Sequence, residues 1–397
     1  MSGMTDTPIP LLIVDDDPPF VTLLVSMLDI INLDAPFATH CVDTAPAALA
    51  EIKRHRYDLV LLDNKLPGAD GLDVLTDIAR LPPDQQPAVI MLTATGNEAI
   101  AVEAMKRGAK DYLSKLDIGL PALTRAISSA LARHRLEREV RVKTEQLAED
   151  LRLAREIQEA FLPQHYPPFR DNALRFSHRY RPTTEVGGDF FDILPLSDTA
   201  AGVFICDVMG HGLRAALVTA ILRGLVEELM PLAGDPGRFL TEVNRGLHGV
   251  LKQTRRPLFT SAYYLVADAA AGQLRFANAG HPSPLHLRRT AGTVTPLPSP
   301  APAEQAALAL FADHVYPTLT TPLAPRDGLL LFTDGLYEVA GADGELFGED
   351  RLLATVRQQL ALPADALCDQ LLGEIQQYAA HHQFTDDVCL VGIEVGA

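Results

Sequence analysis

LLIVDDD, residues 11–17, is an apolar run that ends in three acids. Such a run reads as a strand buried on both faces of a parallel sheet, with its carboxylates at the C-terminal edge. YDLVLLDNKLPGADG at 57–71 repeats the device, its strand ending at Asp63 before a Pro-Gly turn. AVIMLTA at 88–94 and DYLSK at 111–115 supply two more strands, which end near Thr93 and Lys115. In open parallel sheets ligands bind beyond the carboxyl ends of the strands, so these polar groups are expected to converge there.

Taken alone, Thr93 is an ordinary strand-end hydroxyl and Lys115 an ordinary surface charge. Their joint order and spacing carry the reading. Over roughly residues 9–130 the pattern resembles the receiver domain of two-component response regulators, which implies a doubly wound α/β fold with a five-stranded parallel sheet. By that resemblance Asp63 accepts a phosphoryl group from a sensor histidine kinase. Asp15 and Asp16 hold Mg²⁺ together with Asp63, Thr93 contacts the phosphoryl group, Lys115 pairs with its charge, and Tyr112 stands at the switch-aromatic position. The chemistry is coherent, because a carboxylate nucleophile facing a phosphoryl donor needs cations to offset crowded negative charge. Asp17, followed by Pro18 and Pro19, reads instead as the start of the first helix. Leu116 replaces a Pro common in the family, which removes an expected cis peptide after Lys115.

A second acidic constellation occupies the other half of the chain: EVGGDFFD at 185–192, CDVMGHG at 206–212, FTDGLYE at 332–338 and TDD at 385–387. Each places an Asp beside Gly or at the end of an apolar run, and hard cations want carboxylate oxygens on backbone that turns tightly. A lone Asp-Gly pair is more often a turn than a ligand. Four such acids suit two metals, and a bridged metal pair suits hydrolysis of a phosphate ester. Together with AREIQEAFLPQ at 154–164, GHGLRAALVTAILR at 210–223 and ANAGHPSPL at 277–285, the ordered set resembles the PPM-type serine/threonine phosphatases, in the bacterial branch acting on anti-sigma-factor antagonists. The likeness runs from about Leu151 onward. It implies an α+β domain, a β-sandwich flanked by helices, with two Mn²⁺ or Mg²⁺ ions held by Asp189, Asp207, Asp334 and Asp386 and with the Val208 carbonyl as a fifth ligand. Asp192, Gly335 and Asp387 are candidates for orienting ligands or waters from behind. His211 and His281 lie in Gly-rich segments of this likeness, where a place near the metals and a loop-stabilising role are both open.

These readings divide the chain into a flexible start (1–8), a receiver (9–122), a helical linker (123–165) and a phosphatase domain (166–397). The linker reads as one long helix or two consecutive ones, ended by Pro163. From Arg133 to Glu159 it carries seven basic and seven acidic residues with no Gly or Pro. Val140, Leu147, Ala154 and Phe161 recur every seven residues, a stripe suited to a homodimeric coiled coil, although Lys143 and Asp150 interrupt it. In the phosphatase half, residues 174–182, 202–208, 260–268, 273–280, 328–335 and 388–395 have strand composition, and 213–230 and 235–252 have helical periodicity. TPLPSPAPAE at 295–304 departs from the family and reads as a semi-rigid surface loop.

Across 397 residues the formal net charge is −17, which argues against a nucleic-acid-binding surface. No stretch approaches the ~18 apolar residues of a membrane span, and the first residues lack a signal-peptide pattern, so a cytoplasmic protein without membrane contact is expected. Cys41, Cys206, Cys368 and Cys389 show no metal-ligand spacing and read as reduced thiols. The combined expectation is a response regulator whose Asp phosphorylation controls a metal-dependent protein phosphatase, with a phosphorylated anti-sigma-factor antagonist as substrate. The alternative is a non-catalytic adaptor that binds a sigma or anti-sigma factor. Retention of four ligand-type Asp residues favours the enzyme.

Overall fold

The strands of the N-terminal unit bury alternate residues on two different faces. In the computed structural model, Leu11 and Ile13 of β1 (Ile9–Val14) and Leu59 and Leu61 of β3 (Leu59–Asp63) join one apolar cluster, while Leu12, Val14, Val60 and Leu62 join another. Residues 7–396 are described, except 32, 34, 95–97, 164, 211, 254–257 and 381–383. Adding β2 (Phe37–Val42), β4 (Ala88–Thr93) and β5 (Asp111–Ser114) gives a parallel sheet in the order β2-β1-β3-β4-β5. Helices α1 (Pro18–Ile30) and α5 (Leu120–Phe161) cover the first cluster, and α2 (Ala45–Arg54) and α3 (Gly71–Ala79) the second. A short helix α4 (Glu98–Lys106) precedes β5. Asp17 caps α1 by accepting from the Phe20 N–H at 3.4 Å, with Pro in the first turn.

Helix α5 is one unbroken helix of 42 residues, about 60 Å long at 1.5 Å per residue. It begins inside the receiver: Leu123, Ala126, Ile127, Ala130 and Leu131 are buried in the receiver core. The helical segment expected as a linker therefore completes the first domain before it leaves it. The chain divides into two compact units at Leu147 and Ala148, within this helix. The expected heptad stripe is also shared out. Val140 and Leu147 are exposed, as are Leu136, Val142, Leu153 and Ile157 of the same helix, but Phe161 packs against the second unit's core.

The second unit stacks two antiparallel five-stranded sheets between pairs of helices. One sheet runs in the order β13-β10-β9-β8-β7, from β7 (Asp189–Pro195), β8 (Ala200–Val208), β9 (Thr260–Asp268), β10 (Gln273–Ala279) and β13 (Leu319–Pro322). The other runs β12-β11-β14-β15-β6, from β6 (Leu174–Arg181), β11 (Leu285–Arg288), β12 (Thr293–Pro296), β14 (Gly328–Phe332) and β15 (Val388–Val395). Alternation along β14 and β15 sends Leu329, Leu331, Cys389, Val391 and Ile393 to the core between the sheets. Leu330, Phe332, Val388 and Leu390 turn the other way, to pack with α8 (Gly348–Gln358) and α9 (Ala364–Tyr378). Helices α6 (Leu213–Glu228) and α7 (Pro236–Leu251) close the first sheet.

One expectation about these strands needs correcting. The segment 295–304 is not wholly a loop: Thr295 and Pro296 belong to edge strand β12, and Leu297 is buried. Pro is tolerated there because an edge strand has a side that owes no ladder hydrogen bond. EVGGDFFD, to which the sequence assigned no element, runs into a strand: its last four residues begin β7, which pairs with β8.

Candidate active sites

At the carboxyl edge of the receiver sheet, Lys115 Nζ lies 2.7 Å from Asp15 Oδ2 and 2.9 Å from Asp63 Oδ2. The ammonium also stands 4.8 Å above the Phe20 ring. Burial raises the Asp63 pKa, and Lys115 only partly offsets it. Desolvation pulls the Lys115 pKa down, but its bonds to Asp15 and Asp63 outweigh that and hold it above the usual value. Ligand oxygens of Asp15, Asp16 and Asp63 lie within 4.8 Å of one another, a spacing that suits one hard cation. Asp15 and Asp63 are buried and Asp16 is exposed, so a cation there keeps access to solvent. Thr93 is buried at the end of β4, opposite Ser114 in β5, and its carbonyl accepts from the Lys115 N–H at 2.8 Å. Tyr112 of β5 is 46% exposed. Among the described residues no peptide bond is cis.

The second constellation assembles where both antiparallel sheets end. Asp189 of β7 stands opposite Asp207 of β8 in register, Asp334 follows β14, and Asp386 precedes β15. Burial, and then the Asp207 charge, raise the Asp189 pKa well above the carboxylate range. Burial, followed by the charges of Asp334, Asp386 and Asp387, pushes Asp207 up to about 7. Asp334 is raised by burial and by Asp386. Glu338, which the sequence did not single out, joins the same field at the rim. Among the described residues none of the four carboxylates forms an ion pair with a Lys or Arg. Four acids crowded without a counter-charge, two of them on paired strands, fit a cationic cofactor. Unlike the receiver trio, no three of these acids bring ligand oxygens within 4.8 Å of one another.

Uncharged neighbours fix these acids. Thr333 Oγ1 donates to Asp189 Oδ2 at 2.7 Å and accepts from the Cys389 N–H at 2.9 Å, so one hydroxyl links the two sheets. Asp387 turns back from the cluster: Oδ1 accepts from the N–H and the hydroxyl of Thr183, and Oδ2 accepts from the Gly188 N–H at 2.6 Å. It orients the Asp189 loop. Gly335 has a steric task, because a Cβ there would lie 2.0 Å from the Asp387 carbonyl. The Val208 carbonyl faces Gly188, where a Cβ would approach it to 2.8 Å.

Asp192 does not belong to this cluster. It lies three residues after Asp189 on the same strand and so points to the opposite face, where Arg223 of α6 reaches it at 3.4 Å. His281 is buried behind the site, and His211 lies outside the described residues. A further participant is Gln158 of α5, buried and hydrogen-bonded on three sides. Its amide donates to the Gly187 carbonyl at 2.8 Å and to Thr219 Oγ1 at 3.2 Å, and its oxygen accepts from the Gly187 N–H at 3.0 Å. The last turns of α5 are thus tied to the loop that carries Asp189.

Comparison with known proteins agrees with both halves. Stage II sporulation protein E (SpoIIE) matches residues 197–396, and the response regulator receiver domain matches residues 11–128. Phosphoserine phosphatase RsbP of Bacillus subtilis is 26% identical over 247 residues, covering 62% of this chain and 58% of RsbP. The nitrogen assimilation regulatory protein NtrX of Azorhizobium caulinodans is 38% identical over 133 residues, covering 33% of this chain and 28% of NtrX. The chain thus spans little more than half of RsbP. The solved SiaA-PP2C domain of Pseudomonas aeruginosa superposes with a TM-score of 0.55 at 24% identity, over 64% of this chain and 98% of that one, and so shares its fold. With its matched segment covering half of the sequence and a receiver domain ahead of it, the chain belongs to the Stage II sporulation protein E (SpoIIE) family.

Proposed function

We propose that this protein is a metal-dependent protein serine/threonine phosphatase whose activity is set by phosphorylation of Asp63. The observation that carries the reading is the uncompensated carboxylate cluster of Asp189, Asp207, Asp334 and Asp386. A pair of Mn²⁺ or Mg²⁺ ions bound there supplies an activated water and a clamp for phosphoryl oxygens. The chain's own residues do the rest. Asp207, pushed up to about 7 by burial and like charge, would bind a cation as its carboxylate. Thr333 holds the Asp189 carboxylate, and Asp387 holds the loop behind it. The similarity to RsbP supports a phosphoserine substrate.

Regulation follows from α5. One continuous helix is anchored in the receiver core at one end and at Gly187, through Gln158, at the other. Phosphorylation of Asp63 by a sensor histidine kinase, with Mg²⁺ held by Asp15, Asp16 and Asp63, adds charge beside Lys115 and shifts the receiver between two packings. A rotation or shift of α5 reaches the Asp189 loop through Gln158. The exposed Leu136, Val140 and Leu147 suit a homodimer through the helix. A phosphorylated anti-sigma-factor antagonist is the proposed substrate. No helix among the described residues is long and apolar enough to cross a membrane.

The test is phosphate release from a phosphoserine protein with Mn²⁺, with Mg²⁺ and with chelator, repeated after treatment with a small acyl-phosphate donor. Turnover that needs the metal and changes with the donor supports the proposal. A folded protein inert under every condition contradicts it.

A further inference from the structure

His281 is 4% exposed, and among the described residues it forms no hydrogen bond or ion pair with any of the four acids. Its surroundings are built to hold it in one orientation. The Asn278 side chain clamps its backbone reciprocally, accepting from the His281 N–H at 2.8 Å and donating to the His281 carbonyl at 3.0 Å. Gly280 takes a left-handed φ of +73°, and a Cβ there would meet the Gln305 carbonyl at 3.0 Å. The imidazole Nδ1 is 2.8 Å from Ser261 Oγ. Ser261 is the residue of β9 that stands opposite Asp207 in register. On its other side the ring and Phe332, the last residue of β14, line one cavity, and the buried Nε2 has no hydrogen-bond partner among the described residues. Phe332 is followed by Thr333, which holds Asp189, and by Asp334.

The ring therefore stands between the strand edge that presents Asp207 and the strand end that presents Asp334, and these belong to different sheets. Burial keeps it neutral, with its pKa down at about 3. A neutral imidazole has one donor and one acceptor nitrogen, and the Ser261 hydroxyl can complement Nδ1 in either role. We propose that His281 is a positioning residue for the metal centre: with Ser261, it sets the distance between the Asp207 edge and the Thr333–Asp334 turn, and so the cation affinity of a site it does not touch. This rests on the metal-dependent reading above.

The experiment is calorimetric titration of the full-length protein with Mn²⁺, for wild type and for Ser261→Ala, His281→Asn and His281→Ala, with a denaturant midpoint for each metal-free protein. Asn places its amide near the position of Nδ1 and retains a partner for Ser261, so it serves as the conservative variant. His281→Ala is expected to weaken Mn²⁺ binding tenfold or more, Ser261→Ala several-fold, and His281→Asn least. For all three, much of kcat returns at saturating Mn²⁺, because no ligand has been removed. A purely structural role would lower the denaturant midpoint and leave the affinity of the folded fraction unchanged. Mn²⁺ affinity within twofold of wild type in Ser261→Ala and in the folded histidine variants overturns the proposal. If His281→Ala fails to fold, the other two variants decide the matter by the same criterion. Absence of Mn²⁺ binding by the wild-type protein would instead remove the metal-centre reading itself.

Discussion

Replacing Gln158 with Leu tests whether α5 is mechanically joined to the catalytic loop. Leu is of similar bulk, so the change removes hydrogen bonds and opens little space. Gly187 loses the partner of its N–H and the partner of its carbonyl, and Thr219 loses an amide donor. The site is buried, so water does not simply replace the lost groups. An unsatisfied buried polar group costs about 1–3 kcal/mol, and two orphaned backbone groups with some relaxation give a loss of about 2–4 kcal/mol. Denaturant unfolding of the phosphatase unit, followed by a probe that does not report on the receiver, measures this. Gln158→Glu keeps the acceptor for the Gly187 N–H but loses the donor, and is expected to be destabilised as well, with a carboxylate left against a carbonyl. Because Gly187 adjoins Gly188, whose N–H is held by Asp387, Gln158→Leu should also raise the Mn²⁺ concentration for half-maximal turnover and blunt the response to an acyl-phosphate donor. Stability within 0.5 kcal/mol of wild type, or an undiminished donor response, would refute the reasoning.

Asp63→Asn should leave basal phosphate release intact and abolish its response to the donor, as read by turnover with and without donor. Thr333→Val removes the hydroxyl between Asp189 and the Cys389 N–H with little change of shape, and is expected to weaken Mn²⁺ binding, measured by calorimetry, more than it slows turnover at saturating metal. In metal-free protein the raised pKa of Asp207 means that stability is present at acidic pH and is lost as pH rises through about 7. The denaturant midpoint of the phosphatase unit should therefore fall between pH 5 and pH 8 in chelator, and saturating Mn²⁺ should remove most of that fall. A flat metal-free profile would show that Asp207 is not crowded by its neighbours.

The receiver was legible because its strands are short apolar runs that end in their functional groups, so one pattern marks both the fold and the site. The phosphatase ligands were legible as motifs, but the parts that hold them were not. Gln158 meets Gly187 across 29 residues, and Thr333 meets Asp189 across 144, so no local periodicity reveals either pair. Thr333 was nonetheless visible inside FTDG, beside the Asp that drew notice. Asp192 was misplaced because proximity in sequence was read as proximity in space, whereas an odd separation along a strand turns a side chain to the other face. The heptad stripe of α5 was a mixture of two tasks, since Phe161 answers to the phosphatase core while Val140 and Leu147 remain exposed. The β11–β12 hairpin was hidden by the proline content of its second strand, which only a place at the sheet edge accommodates.

The most direct test of the central claim is metal-dependent phosphate release from a phosphoserine substrate by wild type and Asp207→Asn side by side. Asn keeps the size of Asp and removes the charge from an acid that faces the charges of Asp334, Asp386 and Asp387. The account expects turnover by wild type with Mn²⁺ or Mg²⁺, none with chelator, and loss of at least a hundredfold in a folded Asp207→Asn. Near-normal turnover by Asp207→Asn, or wild-type turnover indifferent to chelator, would contradict it.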